Sequence, residues 1–151
     1  MSRPKSIVLF DRLYLLSIIV SVIGIVMAWG KINEAAMSSP EMVANPELVA
    51  IVLPIMIFAL AISYGITLLL WWLVAYKAND VVKWIFVVLN GIGIAMALFS
   101  LIAPNPEGVI ALIVKLVAWA LAAASLYFLF QADARAWFAN KGKPAAEDPF
   151  A

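Results

Sequence analysis

Residues 45–76 read NPELVAIVLPIMIFALAISYGITLLLWWLVAY, and no charged residue follows Glu47 in this stretch. An uncharged apolar run of more than about 18 residues indicates a membrane-spanning helix. Asn45-Pro46-Glu47 marks its start, because Asn is a good N-cap, Pro suits the first helical position and Glu complements the helix dipole. The same tripeptide opens a second long apolar run at Asn105-Pro106-Glu107. We therefore predict two membrane-spanning helices that begin on the same side of the membrane.

The composition places the whole chain in the membrane class. Of its 151 residues, 66% are hydrophobic and only 13% are charged, whereas a soluble domain is about half apolar and a quarter charged. A single domain of this size has too little interior to hide so much apolar surface, so much of that surface must face lipid. The net charge of +1 and the lack of a basic block with interleaved aromatics lead us to expect no nucleic-acid partner.

One further apolar run precedes each tripeptide. The sequence thus has four predicted spans, at about 7–29, 46–75, 81–101 and 106–130. The predicted fold is all-α, with four transmembrane helices in an up-down bundle. The polar segment 30–45 is predicted to be an outer loop, in which Ser39 and Pro40 indicate a short helix on the membrane surface. The segment 131–151 is predicted to be a tail that is loosely held after Asn140. A signal peptide is the alternative for the first run, but that run is longer than the usual apolar region of such peptides.

Lysine and arginine are distributed unevenly over the predicted loops. One side of the membrane would carry eight of them: Arg3, Lys5, Arg12, Lys77, Lys83, Arg135, Lys141 and Lys143. The other side would carry only Lys31, and Lys115 lies within a span. Because Lys and Arg collect in cytoplasmic loops, both termini and the tail are predicted to be cytoplasmic.

The two halves of the sequence resemble each other. The two tripeptides are 60 residues apart, and Ile23–Ala28 matches Ile92–Ala97 at five of six positions. This pattern indicates two tandem helical hairpins related by an axis along the membrane normal. Chance is the alternative, because Asn-Pro-Glu is an ordinary helix start and matches among Ile, Val, Ala and Gly are frequent in apolar runs.

Small side chains recur at helical spacing within the spans. They form one face of the first span at Ser17, Ser21, Gly24 and Ala28, of the third at Asn90, Gly93 and Ala97, and of the fourth at Ala118, Ala122 and Ser125. Small faces let helix backbones approach closely in lipid, where packing rather than hydrophobic burial drives association. We expect these faces to be helix-packing seams, and a lined substrate path is the alternative.

Two polar side chains deep in the predicted spans are the candidate functional residues. Lys115 is the only charged residue well inside a span, and an intramembrane charge indicates a functional site by default. The simpler interpretation is that Lys115 extends toward the outer interface, because helical side chains lean toward the N-terminus. Binding of an anionic lipid, a quinone-like headgroup or a partner is the alternative. Asn90 could donate to a ligand, although an interhelical hydrogen bond is the commoner role for such a residue.

Cysteine and histidine are both missing from the sequence. Their absence excludes disulfides, thiol redox chemistry, iron–sulfur ligation and histidine-ligated haem, and leaves only weak means of binding zinc. It also removes the usual general base near neutral pH. We therefore predict no catalytic, cofactor-binding or metal-binding residue.

The two ends of the sequence resemble those of a known group of proteins. The segments RPKSIVLFDRLYL at 3–15 and DARAWF at 133–138 are similar to the ends of uncharacterised four-span bacterial inner-membrane proteins. The resemblance implies a bacterial inner-membrane location and a four-span fold, and it implies no activity.

Three functions are compatible with the sequence. A non-catalytic accessory, assembly or self-associating subunit of a membrane complex fits the missing catalytic groups and the small-residue faces. Its partners would be the lipid bilayer and another membrane protein or a second copy of the chain. A small transporter or channel is the alternative, which the duplicated hairpin favours. A lipid-modifying enzyme ranks last, because no acid–base pair or activated nucleophile is visible in one plane of the membrane.

Overall fold

The computed structural model describes residues 3–101 and 108–142, and all regular secondary structure within these residues is helical. In chain order the helices are α1 (Lys5–Met37), α2 (Pro40–Ala44), a 3₁₀ turn (Pro46–Leu48), α3 (Val49–Lys77), α4 (Asp80–Ser100), α5 (Val109–Phe128) and α6 (Ala132–Ala139). Within the described residues, α1, α3, α4 and α5 are the four helices long and apolar enough to cross a membrane. The predicted all-α membrane bundle with four transmembrane helices is confirmed.

The predicted outer loop at 30–45 is wrong over most of its length, because α1 continues to Met37 and α2 follows almost at once. The apolar run ends at Trp29, but the residues after it include alanine, glutamate and methionine, which are good helix formers. With 33 residues, α1 is roughly 50 Å long, whereas the hydrocarbon core of a bilayer is about 30 Å thick. The last turns of α1 therefore extend past the apolar layer.

The start of the second span also differs from the prediction. The short helix α2 does begin at Pro40 after Ser39. Asn45, however, does not cap α3: its side-chain Nδ2 donates to the carbonyl oxygen of Glu41 at 3.2 Å, so Asn45 ends α2. The 3₁₀ turn comes next, and the N-cap of α3 is Leu48. Proline at the head of the apolar run therefore begins a tight turn rather than the membrane helix itself.

The fourth span and the tail are interrupted by a turn. The second Asn-Pro-Glu tripeptide lies outside the described residues, and α5 begins at Val109. After α5 ends at Phe128, the chain turns over 129–131 and forms α6, whose Ala134 and Phe138 are buried. The predicted tail at 131–151 therefore begins with a docked helix, because these two apolar side chains pack on the core. Residues 143–151 lie outside the described part of the chain.

The closest helix pairing in the bundle joins the first and last membrane helices. α1 packs most closely on α5, whereas the pairs expected in tandem hairpins, α1 with α3 and α4 with α5, pack much less closely. The up-down order brings the starts of α1 and α4, the ends of α3 and α5, and all of α6 to one end of the bundle, which we call the terminal end. The opposite end, with α2, is called the loop end.

The hydrophobic core lies at the terminal end. Its buried members are Ile7, Phe10, Tyr14, Val74, Ala75, Ala78, Phe86, Leu129, Ala134 and Phe138. The rings of Phe10 and Phe86 meet edge to face with centroids 5.6 Å apart, and those of Tyr14 and Phe86 are 4.8 Å apart. Such aromatic pairs contribute about 0.5–1.5 kcal/mol each beyond the area that they bury. The terminal end is thus held by side-chain packing that joins α1, α3, α4 and α6.

Candidate functional site

Connected cavities among the described residues form a space between the membrane helices that we call the central cleft. One of about 320 Å³ lies between α1, α3 and α5, one of about 450 Å³ between α3, α4 and α5, and one of about 250 Å³ between α1 and α5. Trp119 of α5 lines all three. The polar side chains along the cleft are Tyr14, Ser17, Ser21, Ser63, Tyr64, Thr67, Asn90, Lys115 and Trp119. This arrangement of hydroxyls, one amide and one ammonium is the candidate functional site.

A hydrogen bond between α1 and α4 borders the cleft near the terminal end. The Tyr14 hydroxyl donates to Asn90 Oδ1 at 3.0 Å, and Asn90 Nδ2 donates to the carbonyl oxygen of Phe86 at 2.8 Å. Asn90 therefore makes the interhelical hydrogen bond that its mid-span position predicts. Such a bond contributes about 1 kcal/mol or less in a membrane. The amide uses its oxygen and its nitrogen in these bonds while it lines the cleft, so its main role is to fix α4 against α1.

A second hydrogen bond joins α1 to α3 across the cleft. The hydroxyl oxygens of Ser21 and Tyr64 lie 2.8 Å apart, and either group can donate. The spacing of small residues predicts a packing role for Ser21, and it does not single out Tyr64. The sequence did contain a signal for Tyr64, because a tyrosine in the middle of a span must find a partner for its hydroxyl in an environment without water.

The small-residue face of the first span packs on the fourth span. Ser17 and Ala28 of α1 are buried, as are Ala111, Ala118 and Ser125 of α5, which recur every seven residues. At the centre of this seam, a Cβ added to Gly24 would lie 3.1 Å from Cγ1 of Val114. Any larger residue at position 24 would press on Val114, so glycine suits this close approach of α1 and α5. This seam joins two helices of the same chain.

The equivalent face of the third span is not packed in the same way. A Cβ added to Gly93 would meet nothing within 4 Å, and Gly93 lines the open 450 Å³ cavity. Gly93 therefore packs on no helix of the described chain, and a packing role against a second chain stays a prediction. Ala97, one turn further along α4, is half-buried. Across the cavity from Gly93 lie α3 and α5, which the open space separates from it at this level.

Lys115 lies on α5 and lines the smallest of the three cavities. It is half-buried and lines the 250 Å³ cavity together with Ser21, Gly24 and Ala28 of α1. Its Nζ lies 5.9 Å from the ring centroid of Trp119, within the range of a cation–π interaction. The side chain of Lys115 therefore brings a positive charge to a cleft whose other described lining residues are uncharged.

Charged groups at the terminal end pair close to the helix ends. Arg3 and Asp11 form an ion pair with 3.0 Å between Nη1 and Oδ2, and Lys83 pairs with Asp80. Asp11 and Lys83 are buried although they are charged. These two pairs keep the buried charges compensated at the edge of the aromatic core.

Asp133 of α6 caps the first helix, although the two lie more than a hundred residues apart in the sequence. Its Oδ2 accepts a hydrogen bond from the backbone amide of Ser6 at 3.1 Å. Hydrogen bonding from Ser6, chiefly from its side chain and also from this amide, lowers the pKa of the Asp133 carboxyl. The N-cap residue of α1 is Pro4, which offers no side-chain cap, so α6 supplies the acceptor instead. Asp133 forms no ion pair with Arg12 in the described part of the chain.

The described residues contain no group of three or more His, Cys, Asp or Glu placed to hold a metal ion. No protein-family model, curated protein or solved structure matches the chain. The site is thus defined by its geometry alone: an intramembrane cleft with neutral polar walls and a single ammonium. The resemblance to four-span bacterial proteins stays a prediction.

Proposed function

We propose that the protein is a non-catalytic integral membrane protein that acts as an accessory, assembly or self-associating subunit of a membrane complex. The observation that best supports this role is the open loop-end half of α4. A Cβ added to Gly93 would meet nothing within 4 Å, and Met96, three residues further along the same face, is 70% exposed. A helix whose small-residue face has no close neighbour at these positions is suited to docking on another membrane helix.

We further infer that the membrane is the bacterial inner membrane and that the terminal end faces the cytoplasm. Support comes from the basic residues of the terminal end, since Lys and Arg favour the cytoplasmic side. The described ones are Arg3, Lys5, Arg12, Lys77, Lys83, Arg135 and Lys141. A periplasm-dependent reporter fused after Ala151 is expected to be inactive, and an active fusion would reverse the orientation.

The subunit role is tested by adding a side chain to the open face of α4. Gly93→Ile has room within the chain and is expected to leave the fold intact while blocking a helix that docks there. The tagged full-length protein is purified from membranes in mild detergent, and its mass is measured by size-exclusion chromatography with light scattering. We expect the natural chain to elute in a complex clearly larger than its own 16.4 kDa, and the variant to elute alone.

Gly91→Ile is the matched control. Gly91 is also in open space, but two residues along an α-helix correspond to a rotation of about 200°, so it faces away from Gly93. The control variant is expected to stay in the complex. Elution of the natural chain as a monomer, or equal disruption by both substitutions, would contradict the proposed role.

A small transporter is the second candidate, and the polar lining of the central cleft favours it. The hydroxyls of Ser63, Tyr64 and Thr67 lie along one side of the space between α3 and the other membrane helices. Proteoliposomes with the protein would then take up a small polar solute faster than empty vesicles. Filling the cleft by Ser63→Phe should remove that uptake, and unchanged uptake would speak against a path through the cleft.

A further inference from the structure

We propose that the central cleft binds a quinone, an uncharged ring with carbonyl oxygens and an apolar tail, in the 450 Å³ cavity between α3, α4 and α5. The proposal concerns binding alone, and it goes beyond the proposed subunit role without depending on it. It rests on the depth of the cavity, its unused hydrogen-bond donors and its opening to the lipid.

The cavity lies at the middle of the membrane helices. Ser63 is the central residue of α3 and Asn90 that of α4, while Trp119 lies at the centre of α5, and all three line the cavity. At about 1.5 Å per residue, they lie about 13–21 Å from either end of their helices. A phospholipid headgroup stays at the surface of a hydrocarbon core about 30 Å thick, so it does not reach this level. The ligand must therefore be soluble in the hydrocarbon.

The walls of the cavity carry hydrogen-bond donors without an acceptor. The hydroxyls of Ser63 and Thr67 and the indole N–H of Trp119 make no hydrogen bond with another residue that the structure describes. Asn90 donates through Nδ2 to the carbonyl oxygen of Phe86, and the second N–H of the same amide has no partner among the described residues. Because indole and amide N–H groups only donate, the ligand must supply acceptors such as carbonyl oxygens.

The charge and the arrangement of these donors favour a quinone. No charged side chain is among the described residues that line the cavity, so an ionised ligand would be desolvated there without a partner of opposite charge. The donors stand on three helices around the cavity. A quinone ring carries two carbonyl oxygens on opposite edges and can accept from two walls at once, whereas a long-chain alcohol offers one oxygen.

The size and the opening of the cavity suit such a ligand. A volume of about 450 Å³ is within the range of about 300–1,000 Å³ for small-molecule sites. Ile66 of α3 and Leu89 of α4 line the cavity and are each 51% exposed. Gly93 lines it as well, and a Cβ added there would meet nothing within 4 Å. The cavity is therefore open beside apolar side chains, along which the tail of the ligand can extend into the lipid.

The test measures quinone binding to the full-length protein in phosphatidylcholine nanodiscs. A photoreactive azido-ubiquinone labels the protein, mass spectrometry identifies the labelled peptides, and unlabelled quinones compete. We expect labelling of the parts of α3, α4 or α5 that line the cavity. Decylubiquinone or a short-chain menaquinone, which represent the benzoquinone and naphthoquinone classes, should displace the label. Decanol, with an apolar tail and one hydroxyl, should not.

Thr67→Val and Ser63→Ala each remove one donor with little change of shape. Each is expected to raise the dissociation constant of decylubiquinone, obtained from the competition, by about fivefold, as for the loss of one hydrogen bond. Either variant decides the question if the other does not fold, as judged by its circular dichroism.

Ser125→Ala is the matched control. The Ser125 hydroxyl donates to the carbonyl oxygen of Ala122 in its own helix, and Ser125 is not among the residues that line the three cavities. This variant should bind decylubiquinone as the natural chain does.

The proposal would be overturned by a lack of labelling that quinones displace, which is the result expected if the cavity holds water alone. Labelling confined to other parts of the chain, or equal competition by decanol, would also overturn it. So would an affinity that neither donor substitution lowers, or that Ser125→Ala lowers equally. The mass of the assembly reports separately on the subunit role, so each proposal can fail without the other.

Discussion

The terminal end and the loop end of the bundle differ in how their helices are held. At the terminal end, Phe10 and Phe86 are completely buried, and α6 adds Ala134 and Phe138 to the same core. At the loop end, Phe99 of the same helix as Phe86 is 77% exposed. Between these two levels the central cleft separates α4 from α3 and α5. One chain thus combines a closed half and an open half.

This difference shows what association in lipid requires. An exposed leucine or phenylalanine is at no disadvantage among lipid tails, so apolar composition alone does not bring helices together. Helices meet where rings interlock, where small residues allow close approach, or where hydrogen bonds cross. The terminal end has aromatic packing and capped helix ends, whereas the loop end has mainly the α1–α5 seam. The open half is therefore the part of the molecule available to a lipid or a partner.

The largest difference between the two ends is expected for the loss of a phenylalanine ring. Phe86→Ala should lower the free energy of unfolding by about 3 kcal/mol, at the low end of the range for buried phenylalanine, because lipid replaces part of the lost contact. Phe99→Ala should change it by less than about 0.5 kcal/mol, as for other exposed positions. Reversible unfolding in mixed micelles of sodium dodecyl sulfate measures both values. Equal effects of the two substitutions would show that the terminal end is not the more tightly held half.

A smaller effect is expected for the seam between α1 and α5, the main contact that continues toward the loop end. Gly24→Val should cost about 1–3 kcal/mol, since the added carbon would press on Val114 at 3.1 Å. Gly65→Val on α3 is the control, because a Cβ there meets nothing within 4 Å. The same unfolding measurement distinguishes them. A harmless Gly24→Val would mean that α1 and α5 can separate freely, and the contrast between the two ends would then be larger than we describe.

Much of the fold could be predicted from the sequence because apolar length is a strong signal in a membrane protein. The four membrane helices follow from four uncharged runs, and Gly24 follows from its spacing with Ser17 and Ala28. The partner of each face could not be predicted. The similarity of Ile23–Ala28 to Ile92–Ala97 predicts equal packing, yet the first segment lies on α5 and the second borders an open cleft. Which helix faces pair depends on the packing of the whole bundle, and the spacing of residues along one helix does not specify it.

The candidate site was predictable only in part for the same reason. Lys115 and Asn90 are conspicuous because polar groups are rare inside spans. Tyr64 and Trp119 are not conspicuous, since aromatic residues are common in membrane helices. Their place in the cleft depends on which faces of α3 and α5 turn inward. That orientation depends on contacts between residues distant in the sequence.

The smallest effect concerns the cap that Asp133 provides for α1 at the terminal end. Because the pKa of this carboxyl is lowered in the folded chain, its contribution is complete above the ordinary value of 3.8 and is lost as the pH falls through the lowered pKa. Asp133→Ala should cost about 0.5–1 kcal/mol near neutral pH, at the low end of the range for caps, since the carboxylate is exposed and screened.

Asp133→Asn separates the charge from the hydrogen bond, because its amide oxygen can still accept from the Ser6 amide. It should keep most of the stability near neutral pH and lose less of it on acidification than the natural chain does. Glu41→Gln at the loop end is the control, because this exposed carboxylate makes no hydrogen bond with another helix among the described residues. Unfolding measured near neutral pH and in acid compares the variants. If the Asn variant and the natural chain lose equal stability in acid, the Asp133 carboxylate does not stabilise the start of α1. The terminal end would then owe its order to the aromatic core alone.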